Sequence, residues 1–358
     1  MTDFVHLTNK TEYSLSEGAL PITRIAELCQ SFSMPAVGIS DNNNMFGALE
    51  FSEQISKVGV QPILGCNIKI KTPKEYLHEN IEDKDLYFYL NIFSKSNEGY
   101  ENLLKCISNA YTLNKGDAHV RLDELIKLKE GLIILSGGNN SILTHSTGTM
   151  ITKQSKQFVS DFKREFNDNF YIEIQRLGIV DYRLNEEAVL NLAFDHKIPL
   201  VATNDAYFEG PEHFEAHDAL MCIEKKLFVS QADRTKLSKE HYFKSQNEML
   251  ELFHNLPEAL NNTIEIAQRC VHRPKIKNPT LPVYDDDQNK EKELMQKLAK
   301  DGLDDRLNTK FDIENIDIEQ QNEIRKVYEE RLFKELKIII NMKYEGYFLI
   351  VSDFILWA

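Results

Sequence analysis

The sequence lacks the short motifs that mark the commonest nucleotide and metal sites. It contains no GxGxxG, GxxxxGK(S/T), HExxH or CxxC pattern, so neither a dinucleotide site nor a P-loop phosphate site is indicated. Cysteine is scarce as well, with five residues scattered along the chain, an odd number. This usage is typical of reduced thiols in the core of a cytosolic protein, and it argues against a disulfide framework or a zinc site.

Positive charge and long apolar runs are also in short supply. The 42 Lys and Arg face 56 Asp and Glu, which gives a formal net charge of −14 and a pI of about 5.3. Because duplex DNA is bound mainly through Lys and Arg, the chain alone is a poor candidate for nucleic-acid binding. The N-terminus has no apolar signal core, and the most apolar run, 347–357, is too short to span a bilayer. We therefore expect a cytoplasmic protein without a membrane partner.

Short apolar runs alternate with helix-like stretches over the first two thirds of the 358 residues. Runs of this length are typical of buried parallel strands. Alternation of strands and helices predicts an α/β fold, either a (β/α) barrel or a doubly wound sheet. The seven runs are 4–7, 35–40, 62–70, 86–94, 131–138, 170–178 and 198–205.

Polar or small residues follow several of these runs, at the strand ends where α/β folds carry their chemistry. Turn chemistry explains such residues as well, since Asn, Asp and Gly favour turns for conformational reasons. The pattern favours the barrel over the open sheet without defining a reaction. The clusters are 8–10, 41–44, Asn67, 136–138 and 204–205.

The character of the chain changes near residue 246. A helical stretch at 247–270 with a break at Pro257 is followed by a Pro-rich, acidic segment that indicates a linker. Two amphipathic helices are predicted beyond it, with apolar residues at helical spacing over 294–307 and 324–339. The last segment, 347–358, has no helix stop signal, so we expect an incomplete second domain. The predicted domains are 1–275 and 276–358.

Two weaker site hypotheses arise from single patterns. His213 and His217 are four residues apart, a spacing that can hold a metal on one helix face, although no third ligand is nearby. Surface or structural roles explain this pair at least as well. The aromatic residues at 87–89 could stack on bases, but the acidic surroundings favour packing in the core.

Several longer strings resemble one family in their order along essentially the whole chain. They resemble the polymerase and histidinol phosphatase (PHP) domain at the head of the bacterial DNA polymerase III alpha subunit, a C-family replicative polymerase. Residues 281–284 and 345–358 resemble the start of that subunit's palm domain. The strings of the first domain are 6–19, 34–51, 61–70, 97–111, 130–138, 201–208 and 215–223.

The resemblance implies a distorted (β/α)7 barrel over 1–275, followed by the helical, incomplete start of a palm. Active members of the family hydrolyse phosphoesters with metals bound by His, Asp, Glu and Cys at the strand ends. Most of those positions have changed here, and only Glu17 and Asp205 keep a carboxylate. The changed positions are Thr8, Lys10, Asn42, Asn67, Tyr89, Gly138 and Tyr207.

Amides, phenols and glycine cannot replace imidazole and thiolate as ligands of first-row metals. The resemblance therefore implies a vestigial site without metal or catalytic residues, in which Lys10 forms an ion pair with Glu17 or Asp205. It implies a non-catalytic scaffold that supports the palm and docks a proofreading exonuclease subunit and other replicase subunits. The alternative is an active metal-dependent phosphoesterase, either a 3′–5′ exonuclease or a pyrophosphatase. The full-length subunit would be a DNA-directed DNA polymerase that uses Mg²⁺, with its palm carboxylates beyond Ala358.

Overall fold

A computed structural model describes residues 4–77, 86–113, 117–143, 152–178, 180–231, 234, 236–276 and 283–358. The chain divides into two compact units, Met1–Lys275 and Ile276–Ala358. The first unit is built around one curled sheet with helices packed against it. The second unit is helical.

The sheet of the first unit contains seven strands in the described part of the chain. Their order is β1-β2-β3-β5-β6-β7, and β4 pairs with β2 at the side. Six of the seven predicted runs form these strands, which confirms the predicted α/β class. The strands are β1 (Ala36–Asn42), β2 (Gln61–Lys71), β3 (Tyr87–Ser94), β4 (Val120–Arg121), β5 (Leu132–Leu135), β6 (Phe170–Gln175) and β7 (Leu200–Thr203).

The direction of β3 corrects the sequence analysis, which expected parallel strands. β3 runs antiparallel to both of its neighbours, β2 and β5, whereas β1 with β2, β5 with β6 and β6 with β7 are parallel. The apolar runs could not reveal this, because burial on both faces gives continuous apolar sequence whichever way the neighbouring strands point.

The first predicted run forms isolated bridges rather than a regular strand. His6 pairs with Val37 of β1, and Asn9 pairs with Ala206 just beyond β7. Backbone hydrogen bonds support both sides, from Gly38 N–H to the His6 carbonyl at 2.6 Å and from Lys10 N–H to the Ala206 carbonyl at 2.8 Å. The segment therefore connects the first strand to the chain after the last strand, and it brings residues 8–10 to the ends of β1 and β7.

The helices of the first unit alternate with the strands, as predicted, and the helical stretch expected over 247–270 is broken before Pro257. Ser245 and Glu248 form a reciprocal cap at the start of the helix that precedes this break. The nine helices in the described part of this unit are α1 (Ile22–Ser31), α2 (Ala48–Lys57), α3 (Asn97–Thr112), α4 (Leu122–Lys127), α5 (Lys153–Phe166), α6 (Val180–His196), α7 (Phe214–Lys225), α8 (Gln246–Leu252) and α9 (Pro257–Arg269).

One pole of the curled sheet is apolar and closed by α9. Side chains from the starts of the parallel strands, such as Ala36, Ile133 and Val201, pack there with Ile266 and Cys270. The cluster is fully buried and fixes the amino ends of these strands around α9. The polar residues that follow the strands consequently gather at the opposite pole.

The second unit consists of three helices, α10 (Gln288–Glu314), α11 (Ile318–Met342) and α12 (Glu345–Trp357). An ion pair between Arg325 and Asp304 joins α11 to α10. Glu291 in the first turn of α10 accepts backbone hydrogen bonds from Tyr284 and Asp285 at 2.7 and 3.0 Å. Across the described residues, no helix combines the length and the apolar character needed to cross a membrane.

Candidate functional site

The residues singled out from the sequence converge at the polar pole of the first unit. Hydrogen bonds and charges hold these positions in neighbouring groups, and the pairing differs in part from the expected one. Lys10, Glu17 and Asp205 are the three positions for which an ion pair was predicted. Each has its own set of partners.

Lys10 lies inside the protein, with only 1% of its surface exposed. Its ammonium donates to the carbonyl oxygen of Ser40 at 2.5 Å and to the hydroxyl of Ser40 at 3.0 Å. The Oδ1 atom of Asp205 lies 3.5 Å from the same ammonium. The ammonium is therefore held between β1 and the residue that follows β7.

The backbone directs Asp205 toward this lysine. Asp205 adopts a left-handed conformation with φ of 50°. Its amide donates to the hydroxyl of Thr8 at 3.1 Å. Among the described residues no donor bonds its Oδ1 atom, so the charge of Lys10 is the partner of that oxygen.

Asp41 fixes the loop that follows the first segment. Its carboxylate accepts the amide and the hydroxyl of Thr11, both at 2.7 Å, and the hydroxyl of Ser14 at 2.6 Å. Burial raises the pKa of Asp41, while these donors and the charge of Lys10 act in the opposite direction. Asp41 therefore serves as a structural anchor whose oxygens are engaged within the chain.

Glu17 has Asn42, rather than Lys10, as its side-chain partner. The Asn42 amide donates to the Glu17 carboxylate. The charge of Glu17 also acts on the phenol of Tyr207. Asn42, at a position where the family carries a histidine, thus bonds to the surviving acid.

Glu173 is a buried acid that the sequence analysis missed. It lies within β6, and only 5% of its surface is exposed. The Asn91 amide donates to both carboxylate oxygens, at 3.2 and 3.0 Å, and the Gly137 amide donates at 3.2 Å. Gln175 and Thr203 donate at 3.0 and 2.5 Å. Burial raises the pKa of Glu173, and this array of donors opposes that effect.

Asn67 joins the same network, because its amide donates to the Asn91 side-chain oxygen at 2.8 Å. One signal in the sequence could have found the network. Glu173 and Gln175 are two residues apart in a strand whose six residues are all buried, so both point to one face. A buried acid on a strand needs donors, and they could only come from neighbouring strand ends.

Gly138 marks the position where the family carries a cysteine. Its backbone has φ of +52°, and a Cβ atom there would lie 2.3 Å from the Gln175 side chain. The side-chain oxygen of Gln175, Oε1, in turn accepts a hydrogen bond from the backbone amide of Asn139 at 3.1 Å. Gln175 therefore fills the space that a side chain at 138 would require.

The two tyrosines at family histidine positions are protonated phenols. Burial, followed by the charge of Glu17, raises the pKa of Tyr89 to about 12. Burial also raises the pKa of Tyr207 well above its usual value, with the charges of Asp205 and Glu17 adding to the effect. A neutral phenol is a poor replacement for an imidazole ligand.

Of the two histidines singled out from the sequence, only His217 reaches the polar pole. His217 on α7 is buried and forms a 2.5 Å hydrogen bond with the Glu17 carbonyl, whereas His213 lies in a short 3₁₀ turn and is 49% exposed. Burial lowers the pKa of His217. In the aromatic run, Phe88 is buried in the core, and Tyr87 lies under the Lys69 ammonium at 4.3 Å.

The donor set at the pole does not fit the metals that the family resemblance implies. An ammonium occupies the space beside Asp205, and the carboxylates of Asp41 and Glu173 are filled by donors of the chain. Within the described ranges, no three His, Cys, Asp or Glu residues are grouped so that they could hold a metal ion. A protonated ammonium has no free electron pair for a metal, and neutral amides and phenols are weaker ligands than the imidazoles and thiolate that the family resemblance implies.

Comparison with known proteins identifies the class of both units. The PHP domain family matches residues 6–177, within the curled sheet and its helices. The family described as bacterial DNA polymerase III alpha NTPase domain matches residues 293–358. The first unit is thus a PHP-type α/β fold.

Full-length relatives give the family of the whole chain. It is 38% identical over 358 residues to DNA polymerase III subunit alpha of Rickettsia conorii, covering 99% of this chain and 30% of that protein. Identity to the Escherichia coli subunit alpha is 32%, with the same coverages. The chain belongs to the family of bacterial DNA polymerase III alpha subunits, and it spans about 30% of the length of these curated relatives.

Among solved structures, the chain is similar to a two-domain protein from Bacteroides vulgatus, described as containing a predicted PHP-like metal-dependent phosphoesterase. The identity is 12% and the TM-score 0.39, over 74% of this chain and 63% of that one.

Proposed function

We propose that this chain is a non-catalytic PHP scaffold of a replicative DNA polymerase subunit. The supporting observation is that the four acids of the polar pole already have partners from the chain itself. Asp41 binds Thr11 and Ser14, and Glu17 binds Asn42. The partners of Glu173 are amides and a hydroxyl, and that of Asp205 is Lys10.

Metal-dependent phosphoester hydrolysis needs a metal with an open position, at which water becomes a nucleophile. Among the described residues of the pole, no three His, Cys, Asp or Glu side chains could hold such a metal, and the buried lysine would repel one. A scaffold role agrees better with this chemistry than either exonuclease or pyrophosphatase activity. In this role the barrel supports the palm and provides a docking surface for a proofreading exonuclease subunit and other replicase subunits.

For the longer protein we propose DNA-directed DNA polymerase activity in DNA replication in the cytoplasm. This proposal is supported by the names of the relatives and by the family match at residues 293–358. The Mg²⁺ ions for nucleotidyl transfer would be held by carboxylates outside this chain. The chain alone should neither extend a primer nor bind DNA tightly, given its net charge of −14.

The decisive experiment compares hydrolysis by the wild type with that by a Glu17→Gln/Asp205→Asn double variant. The substrates are bis(p-nitrophenyl) phosphate, pyrophosphate and a 3′-labelled oligonucleotide, each with Mg²⁺, Mn²⁺ or Zn²⁺. We expect the same background rate from both proteins. Metal-dependent hydrolysis that the wild type shows and the variant loses would establish the phosphoesterase instead.

Docking needs a separate test with the purified proofreading exonuclease subunit of the same organism. Size-exclusion chromatography of the mixture should show co-elution with this chain. If the exonuclease binds the full-length polymerase subunit but not this chain, the docking surface lies elsewhere in the longer protein.

A further inference from the structure

The burial of Lys10 calls for a physical explanation. Lysine is among the residues least often buried completely, because its ammonium loses the solvation of water. Here 1% of Lys10 is exposed, and the ammonium has two oxygen atoms of Ser40 and one of Asp205 around it. All three are oxygen atoms, the ligand type that hard cations prefer.

The charge of Lys10 reaches more than its ion-pair partner. It acts on the carboxylates of Asp41 and Glu173, both of which are buried. Three acids are thus gathered around one internal cation. Buried carboxylates that lack a compensating positive charge repel one another and take up protons.

We infer that the Lys10 ammonium is a built-in replacement for a metal ion, which neutralises the acids of the pole and ties β1 to the chain after β7. This inference rests on the proposed non-catalytic function. A covalently attached cation needs no imidazole or thiolate ligands. The amides, phenols and glycine at the changed positions are therefore compatible with a stable pole.

The inference predicts a specific defect when the ammonium is removed. Lys10→Ala deletes the cation and leaves the Ser40 oxygens and the Asp205 carboxylate facing the vacated space. Stranding one partner of a buried ion pair is strongly destabilising, and a loss of roughly 10 °C in Tm is expected for a unit of this size. A divalent cation with a preference for oxygen ligands should restore part of the loss.

Lys244 offers a matched control in the same unit. It is 3% exposed, and its ammonium donates to the Glu240 carbonyl at 2.5 Å and lies 3.1 Å from the Glu240 carboxylate. Lys244→Ala therefore removes a similarly buried ammonium away from the three acids, although its partner Glu240 is 45% exposed and Asp205 only 13%. A second variant, Lys10→Ala/Asp205→Asn, removes both charges of the pair, and asparagine tolerates the left-handed backbone of position 205.

The test measures the Tm of the whole chain in EDTA and in MgCl₂ or MnCl₂ for the wild type and the three variants. We expect Lys10→Ala to gain Tm with either metal, while the wild type and Lys244→Ala do not respond. The double variant should recover part of the Lys10→Ala loss and should lose the metal response. Such a recovery in the double variant distinguishes an ion pair from two independent contacts.

Three results would overturn the inference. They are a wild type stabilised by metal, a Lys10→Ala variant that responds no more than Lys244→Ala, and a double variant that is no more stable than Lys10→Ala. If Lys10→Ala is too unstable to purify, the double variant decides. A folded double variant supports the coupling, and an unfolded one refutes it. Phosphoesterase activity of the wild type would instead refute the proposed function, so the two failures are distinguishable.

Discussion

The backbone amide of Ser238 lies 3.1 Å from Nδ1 of His241, and the hydroxyl and carbonyl oxygens of Ser238 lie 3.0 and 3.2 Å from the same nitrogen. Burial lowers the pKa of His241 to about 4, and it lowers that of His6 to about 4 as well. Both imidazoles are therefore neutral in the folded protein at neutral pH. In the unfolded chain their pKa is near 6.5.

This difference predicts that the first unit loses stability in mild acid. Between pH 6.5 and 4 the unfolded chain binds more protons than the folded one, so the free energy of unfolding falls as the pH drops. Each histidine contributes up to about 3 kcal/mol of this loss, which is complete near pH 4. Urea unfolding at a series of pH values measures it.

A matched pair of variants isolates one histidine. His241→Asn keeps an acceptor for the Ser238 amide but cannot be protonated, so its stability should fall less steeply below pH 6.5 than that of the wild type. His213→Asn, at a histidine that is 49% exposed, is the control for the substitution itself. Identical slopes for His241→Asn and the wild type would contradict the buried neutral ring.

The glycine at position 138 provides a second prediction. Gly138→Ala should cost about 3 kcal/mol, because the new Cβ meets Gln175 at 2.3 Å and the backbone is left-handed. Gly59→Ala is the control, since Gly59 has φ of +79° but no described atom within 4 Å of a Cβ atom there. It should cost only about 1–2 kcal/mol. Equal losses in thermal unfolding would mean that Gln175 does not fill the site.

Much of the architecture could be predicted because buried strands are recognisable in the sequence as short apolar runs. Apolar runs revealed six strands, and polar residues after them revealed which pole carries the site. The antiparallel direction of β3 could not be predicted in this way, since a strand buried on both faces has the same composition in either direction.

The candidate site was predictable only in part for a related reason. Lys10 and Asp205 stand out because each lies in a polar cluster at a strand end. Glu173 sits inside an apolar run, and its donors Asn91 and Thr203 are separated from it by 82 and 30 residues. Partners that only folding brings together cannot be read from local sequence, although an acid in a buried strand implies that they exist.

Glu173 gives the third prediction. Glu173→Gln replaces one acceptor oxygen by an NH₂ group that must face donors such as the Asn91 or Gly137 amide. Two donors that face each other in a buried network should lower the free energy of unfolding by about 2–3 kcal/mol. Glu251→Gln on the exposed side of α8 is the control and should be nearly neutral. An unchanged urea midpoint for Glu173→Gln would contradict a carboxyl group that is held by chain donors.

The helices of the second unit should open more readily than the closed pole of the first. In α11 no residue is fully buried, and in α12 only Gly346 and Leu349 are. Large apolar side chains on these helices face solvent, with Phe333 at 71% and Trp357 at 88% exposed. Few buried contacts imply a low free energy of local opening.

Hydrogen exchange of the whole chain should therefore be faster in α11 and α12 than in α9, which carries the fully buried Ile266. Equal protection of α9 and α12 would show that the apolar surface of these helices is covered in solution, and a dependence of that protection on protein concentration would identify a second copy of the chain as the cover.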